Sequence, residues 1–240
     1  MKILIIRHGD PDYEIDSLTE KGKREADLLT KRLLKESPVA VYVSTMGRAV
    51  RTAKPYLEAT GITATYYDWL REFIYDVRFP DGHTQIPWDL YPSFVSENPE
   101  LYDNDKWYDN FIMQTGDIKT AYKKVSESFD GLLKKHGYER DGMFYRAVSA
   151  NNDTIMLFCH FGVECVLLSH LLNVSPVILW QAFCAAPTSV TTVYTEERQK
   201  GVVQFRVQAF GDISHLYAEN EPPAFAARFC ECYDNEEERH

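Results

Sequence analysis

Three short segments hold side chains able to handle a phosphoryl group: Arg7 and His8 in "IIRHG" (5–9), Arg48 in "YVSTMGR" (42–48) and His160 in "LFCHFG" (157–162). Each follows an apolar run that reads as a buried strand. Burying a cation without a partner is costly, so Arg7 and His8 belong where a strand leaves the core, facing a bound anion or an acidic neighbour. In open α/β sheets the working groups gather at the carboxyl ends of strands. A helix usually begins just beyond each end, so backbone N–H groups and positive side chains converge on one small volume that suits a single phosphoryl group. A metal site is not expected, because the histidines lack ligand spacing such as HxxxH and the strand ends offer cations where a metal requires carboxylates.

The elements that must position these groups are legible as alternating patterns. Lys2 to Arg7, Val39 to Ser44, Thr154 to Cys159, Ser189 to Glu196 and Val202 to Ala209 read as strands. Residues 17 to 35 place Ala26, Leu29, Leu33 and Leu34 at helical spacing, with Thr19 and Glu20 at the entry. Further helices are predicted after Ser44, over 118–136 with Gly137 as the stop, and over 163–172 after His160. The alternation predicts an α/β fold, a three-layer α/β/α sandwich with a mostly parallel central sheet.

Residues 73 to 111 break that alternation with ten aromatics, several prolines and no long period, and read as part of an inserted cap spanning about 73–118. A small satellite core and a substrate-lining role are both open for it. The predicted domain covers 1–232, and the acidic end 233–240, closing in "NEEERH", is expected to stay solvated.

Composition narrows the function. With 45% hydrophobic residues the 240-residue chain can bury a sizeable core, while 36 acidic against 26 basic residues leave a net charge of −10. That balance disfavours broad contact with nucleic acid or anionic membrane. The first apolar stretch, Ile3 to Ile6, is too short for a signal-peptide core and no later one reaches a membrane span, so a soluble, cytoplasmic protein is expected. Five cysteines, an odd count, argue against a disulfide framework, and Cys230 and Cys232 lack a nearby CxxC or histidine partner.

Taken in order, "RHG" (7–9), "LTEKG" (18–22), "GRAVRTA" (47–53), "LRE" (70–72), "CHFG" (159–162) and "GDISHL" (211–216) resemble the histidine phosphatase superfamily, in its phosphoglycerate mutase-like branch. The resemblance implies that His8 accepts the phosphoryl group as a phosphohistidine, and an imidazole is a good nucleophile near neutral pH. A lone histidine at a strand end is more often a hydrogen-bonded structural residue, but here Arg7 is adjacent and Gly9 would leave room for an entering phosphate. Arg7 and Arg48 match the clamping arginines, with Arg51 left as a surface residue. His160 matches the second histidine, an imidazolium beside phosphate, and Glu72 matches the acid that protonates the leaving oxygen and then activates water, with Asp68 and Asp76 as rivals. Two departures stand out: Glu14 occupies a position where the family commonly has asparagine, and Phe161 follows His160 where glycine is frequent, leaving its backbone N–H to serve. Ser44 is a further hydroxyl donor at the second strand end.

The implied activity is metal- and cofactor-independent hydrolysis of a small-molecule phosphate ester. Between Phe73 and Phe111 eight acidic residues face two basic ones, which suits a phosphatase better than a mutase that must hold a carboxylate as well as phosphate. A catalytically silent phospho-ligand or protein binding module is the alternative from another class, and the intact set Arg7, His8, Arg48, Glu72 and His160 argues against it.

Overall fold

The computed structural model describes residues 1–226 and 228–237. The chain starts with β1 (Lys2–Arg7), a short ribbon of β2 (Pro11–Asp12) and β3 (Ser17–Leu18), helix α1 (Glu20–Leu33), β4 (Ala40–Ser44), α2 (Gly47–Thr60) and β5 (Thr65–Tyr67). A second ribbon, β6 (Val77–Arg78) and β7 (Thr84–Gln85), leads into the short helices α3 (Pro92–Glu97) and α4 (Phe111–Thr115) and the long α5 (Ile118–Lys135). Then come the hairpin β8 (Tyr138–Asp141) and β9 (Phe144–Ala147), β10 (Thr154–Cys159), α6 (Phe161–Leu172), α7 (Pro176–Ala182), β11 (Val190–Gln199), β12 (Val202–Asp212) and α8 (Ser214–Tyr217).

Eight strands form one sheet in the order β5-β4-β10-β1-β11-β12-β9-β8. The half from β5 to β1 is parallel, and β11, β12, β9 and β8 continue it antiparallel. Six of the eight strands consequently point the same way, with β11 and β9 reversed, so the α/β sandwich with a mostly parallel sheet holds. β1 and β10 lie at its centre, in register from Lys2 opposite Thr154 to Arg7 opposite Cys159. That register carries His8 and His160 off the same edge of the sheet.

The two-residue period of β1 splits its side chains between layers. Leu4 and Ile6 pack with Leu29 and Leu33 of α1 and Ala53 and Tyr56 of α2, while Ile3 and Ile5 join the larger core of α5, α6 and α7. Thr19 caps α1 as its sequence suggests, accepting from Gly22 N at 3.0 Å. Leu34 differs from expectation: α1 stops at Leu33 and Leu34 is half exposed, because the chain turns before the next buried position. Gly137, with φ +91, follows α5 where the stop was read.

The aromatic segment is part of the main core, not a separate satellite, and it also reaches a cavity. Phe73, Val77, Leu90, Val95, Leu101, Trp107, Ile112 and Met113 are buried and continuous with the α5–α7 core, whereas Trp88 keeps one face toward a cavity. Short helices and turns suit this segment because its prolines interrupt any longer period. Residues 233–237 form no helix or strand, and 238–240 of the acidic end lie outside the described residues. No helix among the described residues is long and apolar enough to cross a membrane.

One close approach governs the site's edge of the sheet. A Cβ on Gly22 would stand 2.2 Å from the Asp10 carbonyl oxygen, and one on Gly9 would stand 2.8 Å from that of Gly22. Backbone contacts of this kind cannot be relieved by side-chain rotation. Gly22→Ala should therefore destabilise the fold by about 1–3 kcal/mol, the usual cost of overpacking. Gly131→Ala, in α5 with nothing near its Cβ, should be neutral or stabilising by up to about 1 kcal/mol. Denaturant unfolding of both variants checks the contrast.

Candidate active site

Arg7 ends β1, and its side chain is 5% exposed. Its terminal nitrogens donate to the carbonyls of Ala185 and, at 3.0 Å, Ala226, so the loop after α7 and the C-terminal segment aim the guanidinium. His8 follows, held by its own backbone: His8 N donates to Cys159 O, and Thr188 N donates to His8 O. His8 Nδ1 lies 2.8 Å from Gly9 O. A carbonyl oxygen only accepts, so Nδ1 carries the proton and Nε2 keeps a lone pair. That is the tautomer a nucleophilic imidazole needs.

Arg48 sits in the first turn of α2, buried to 4% exposure, and is anchored from outside the helix. Asp16, with a left-handed φ of +46, accepts from Gly47 N at 2.6 Å and Arg48 Nη1 at 2.8 Å. Partial burial works against ionisation of Asp16, but the hydrogen bonds from Gly47 and Arg48 outweigh it and hold the carboxyl below its usual range. This residue escaped the sequence reading, since nothing in "YEIDSL" announces a contact with a helix some thirty residues later. The cap residue Met46 offers no side-chain oxygen, and Asp16 serves in its place.

His160 leaves β10 at the N-cap position of α6, fully buried, its ring centroid 5.1 Å from that of His8. Ser44, at the end of β4, places Oγ 2.8 Å from His160 Nε2 and accepts from Met46 N at 3.3 Å. A hydroxyl has one proton and two lone pairs, so Oγ meets both the Met46 amide and whichever tautomer His160 adopts, and His160 Nδ1 has no hydrogen-bond partner among the described residues. Ser44 thus positions His160; it is not itself aimed at substrate.

Burial first, then Arg7 and Arg48, pushes the His8 pKa well below 6.5, outweighing the Gly9 bond. Burial likewise dominates for His160, followed by His8, Arg48, Arg7 and Arg71. Both shifts favour the neutral rings when no anion is bound, whereas the expected imidazolium of His160 concerns the ring beside a dianionic phosphate, whose charge acts with the opposite sign.

Glu72 is the carboxylate brought to these groups. Its Oε1 accepts from Phe73 N at 2.8 Å and from Val163 N, in the first turn of α6, at 3.0 Å. Its rivals are elsewhere: Asp68 accepts from Thr45 Oγ1 at 2.6 Å, and Asp76 lines a separate surface cavity with Arg78 and Phe79. Gly162 explains the glycine of "CHFG", because a Cβ there would meet Glu72 Oε1 at 2.5 Å and Trp88 at 2.7 Å. Arg51 is exposed on α2, away from the cavity, in agreement with a surface role.

Gly9 needs correcting. Its N–H is taken by Thr52 Oγ1 at 2.9 Å and its missing Cβ faces Gly22, while Gly9, like His8 and His160, is not among the residues lining the cavity. Its smallness admits α1, not phosphate. The cavity of about 400 Å³ beside the imidazoles is lined by Arg7, Arg48, Glu72 and Phe161, by Ile74, Ile86 and Trp88 of the aromatic segment, and by Trp180 and Phe183. Sequence reasoning also missed Ala226, Arg228 and Phe229, which complete one wall. Trp88 stacks on Phe229 with centroids 6.4 Å apart, a contact across more than a hundred residues that leaves no local signal.

Two imidazoles and two guanidiniums, with the Glu72 carboxylate, gather beside one edge of the α/β sheet. The chain belongs to the histidine phosphatase superfamily, branch 1, whose family model matches residues 3–208. A probable phosphatase of Schizosaccharomyces pombe is 25% identical over 234 residues, covering 91% of this chain and 97% of that protein. The mitochondrial serine/threonine-protein phosphatase Pgam5 of Caenorhabditis elegans is 27% identical over 220 residues, and the match spans 89% of this chain and 63% of that protein. The fold is shared with phosphoserine phosphatase of Entamoeba histolytica in complex with phosphoserine (TM-score 0.60, 18% identity, 90% of this chain and 98% of the other). It is also shared with mycobacterial glucosyl-3-phosphoglycerate phosphatase (TM-score 0.56, 19% identity, 88% and 98%).

The histidine shifts carry a pH consequence. Below about 6.5 the unfolded chain takes up protons that the folded chain refuses at His8 and His160, so their contribution to stability is complete above that pH and falls as pH drops. In an NMR titration both rings should remain neutral from pH 8 to pH 5.5. A midpoint near 6.5 for either ring would contradict the burial argument.

Proposed function

We propose that the protein is a phosphatase that hydrolyses a small-molecule phosphate monoester through a phosphohistidine at His8, without a metal or cofactor. The observation that carries this reading is the His8 tautomer: Nδ1 tied to Gly9 O leaves Nε2 as a nucleophile on a ring that feels the charges of Arg7 and Arg48. Arg7 and Arg48 bind the phosphoryl oxygens, and His160 donates to the same charge, which spreads over those oxygens in the transition state. Phe161, the first residue of α6, adds an amide from a helix end whose N–H groups lack partners within the helix.

Attack by Nε2 breaks the bond from phosphorus to the ester oxygen, and Glu72 gives that oxygen its proton. The two amides hold Oε1, so Oε2 handles the proton. In the second step the carboxylate takes a proton from water as the water attacks phosphorus and frees His8. Hydrolysis is favoured over mutase chemistry because the aromatic segment contributes the apolar Ile74, Ile86 and Trp88 to the cavity wall, and the only cation there beyond the two clamp arginines among the described residues is Arg228 of the C-terminal segment. The relatives named as phosphatases support hydrolysis, and the one named a serine/threonine-protein phosphatase does not speak for a small-molecule substrate.

His8→Ala should abolish turnover and any acid-labile phosphoenzyme, whereas His160→Ala should retain a slow residual rate. Chelator should change neither wild-type activity nor phosphoenzyme yield. Label trapped on serine, aspartate or cysteine would overturn the assignment.

The acid role of Glu72 has its own test. A poor alkoxide leaving group cannot depart unprotonated, while nitrophenolate can. In single-turnover phosphoenzyme formation Glu72→Gln should slow an alkyl phosphate by on the order of a hundredfold and p-nitrophenyl phosphate far less. Equal slowing of both in that step would remove Glu72 as the leaving-group acid.

A further inference from the structure

The carboxyl assigned to the leaving oxygen has an aromatic neighbour. A Cβ on Gly162 would meet both Glu72 Oε1, at 2.5 Å, and Trp88 Cδ1, at 2.7 Å, so the carboxyl and the indole lie side by side over the start of α6. A group that departs by way of Glu72 therefore departs along Trp88. The wall that continues from Trp88 is the part of the cavity that the alcohol portion of a substrate touches.

That wall is apolar. Ile74 and Ile86 line it with Trp88, Phe183 joins from the loop after α7, and Phe229 of the C-terminal segment stacks on Trp88 with centroids 6.4 Å apart. Ile74, Phe183 and Phe229 are large apolar side chains left about half exposed around one concave surface. Apolar surface gathered in this way marks a ligand site. The volume of about 400 Å³ lies toward the small end of the range of about 300–1,000 Å³ for such sites, which suits a phosphoryl group carrying one ring system.

Charge points the same way. Arg228, the cation lining the cavity beside the two clamp arginines, is already engaged: its guanidinium pairs with Glu231 and lies over the Phe225 ring, 4.8 Å from the centroid. A carboxylate or second phosphate on the substrate would lose hydration against the apolar wall and gain no partner there.

We propose that the substrate is a phosphate monoester whose alcohol portion is an uncharged, ring-bearing apolar group, seated on the wall that Trp88 and Phe229 form. The proposal rests on the phosphatase reading for the position of the phosphoryl group, but it concerns recognition and needs no turnover. Phe229 becomes a specificity-determining residue supplied by the far end of the chain. Its segment is held over the site by Lys21 and Arg24, which pair with Glu221, and by Arg7 Nη2, which donates to Ala226 O at 3.0 Å.

The test compares three phosphonates, whose P–C bond the proposed chemistry does not break: methylphosphonate, benzylphosphonate and 3-phosphonopropanoate. Dissociation constants are measured by NMR titration of the full chain at one pH. Benzylphosphonate should bind about tenfold or more tighter than methylphosphonate, the gain from burying most of a ring. The added carboxylate of 3-phosphonopropanoate should bring no gain over methylphosphonate. Phe229→Ser should cut the benzyl-to-methyl advantage by about threefold, and Phe229→Leu, which keeps an apolar wall, should retain most of it. Ile74→Ser should cut it in the same sense.

A merely structural role for Phe229 would weaken both ligands by one factor, so an unchanged ratio in Phe229→Ser removes its role in specificity. Equal binding of the benzyl and methyl compounds, or tightest binding of the carboxylate compound, overturns the proposed substrate class and leaves the phosphate site standing. If no phosphonate binds and inorganic phosphate does not either, the phosphate site falls and the substrate class with it.

Discussion

Four cationic or protonatable side chains, Arg7, His8, Arg48 and His160, occupy one volume at 5% exposure or less, and the surrounding architecture serves to make that arrangement tolerable. Isolated charges in such a place would be expelled or neutralised. Here burial and the two arginines keep both imidazoles neutral. Each arginine is met by a different device: Asp16 pairs with Arg48, and backbone carbonyls receive Arg7. A site built this way is short of negative charge, which the phosphoryl group of the proposed function would supply.

Holding these groups together requires backbones to approach closely. Gly22 lets α1 abut the loop after β1, Gly47 lets α2 meet the Asp16 carbonyl, and Gly162 lets Glu72 and Trp88 press on the start of α6. Each glycine removes a Cβ that would otherwise push a catalytic element outward. Close packing of this kind resists small displacements, which is the property a transition-state clamp needs. Trp180 adds to it by donating from its indole to Gly162 O at 3.0 Å, tying α7 to the same helix start.

The aromatic segment divides its labour by depth. Trp107, wholly buried, anchors it to the α5–α7 core through edge contacts with Tyr122 and Trp180, while Trp88 faces the cavity and stacks on Phe229. Apolar walls around a cationic floor favour a ligand with one strongly anionic end and an apolar body. The acidic residues of the segment are not among the cavity lining, apart from Glu72 just before it, so they repel nothing from the phosphate site directly.

Sequence pattern by itself determined the strands that carry the site and the identity of its central residues. β1, β4 and β10 are continuous apolar runs, and the residue types that follow them are costly to bury, so Arg7, His8, Arg48 and His160 announced their place through local chemistry. The capping threonine of α1 and the glycine after α5 were legible for the same reason, since capping depends on neighbours in the chain. Short elements were not: β5, β8, β9 and α7 have too few residues to show a period, and long-range pairing sets them. Only the tertiary structure decided which carboxylate lines the cavity with the two arginines, why Gly9 is small, that Ser44 meets His160, that Asp16 anchors Arg48 and that the C-terminal Phe229 lines the cavity. Those facts are distances between residues far apart in the chain, and residue type and spacing carry no record of them until the sheet order brings the segments together.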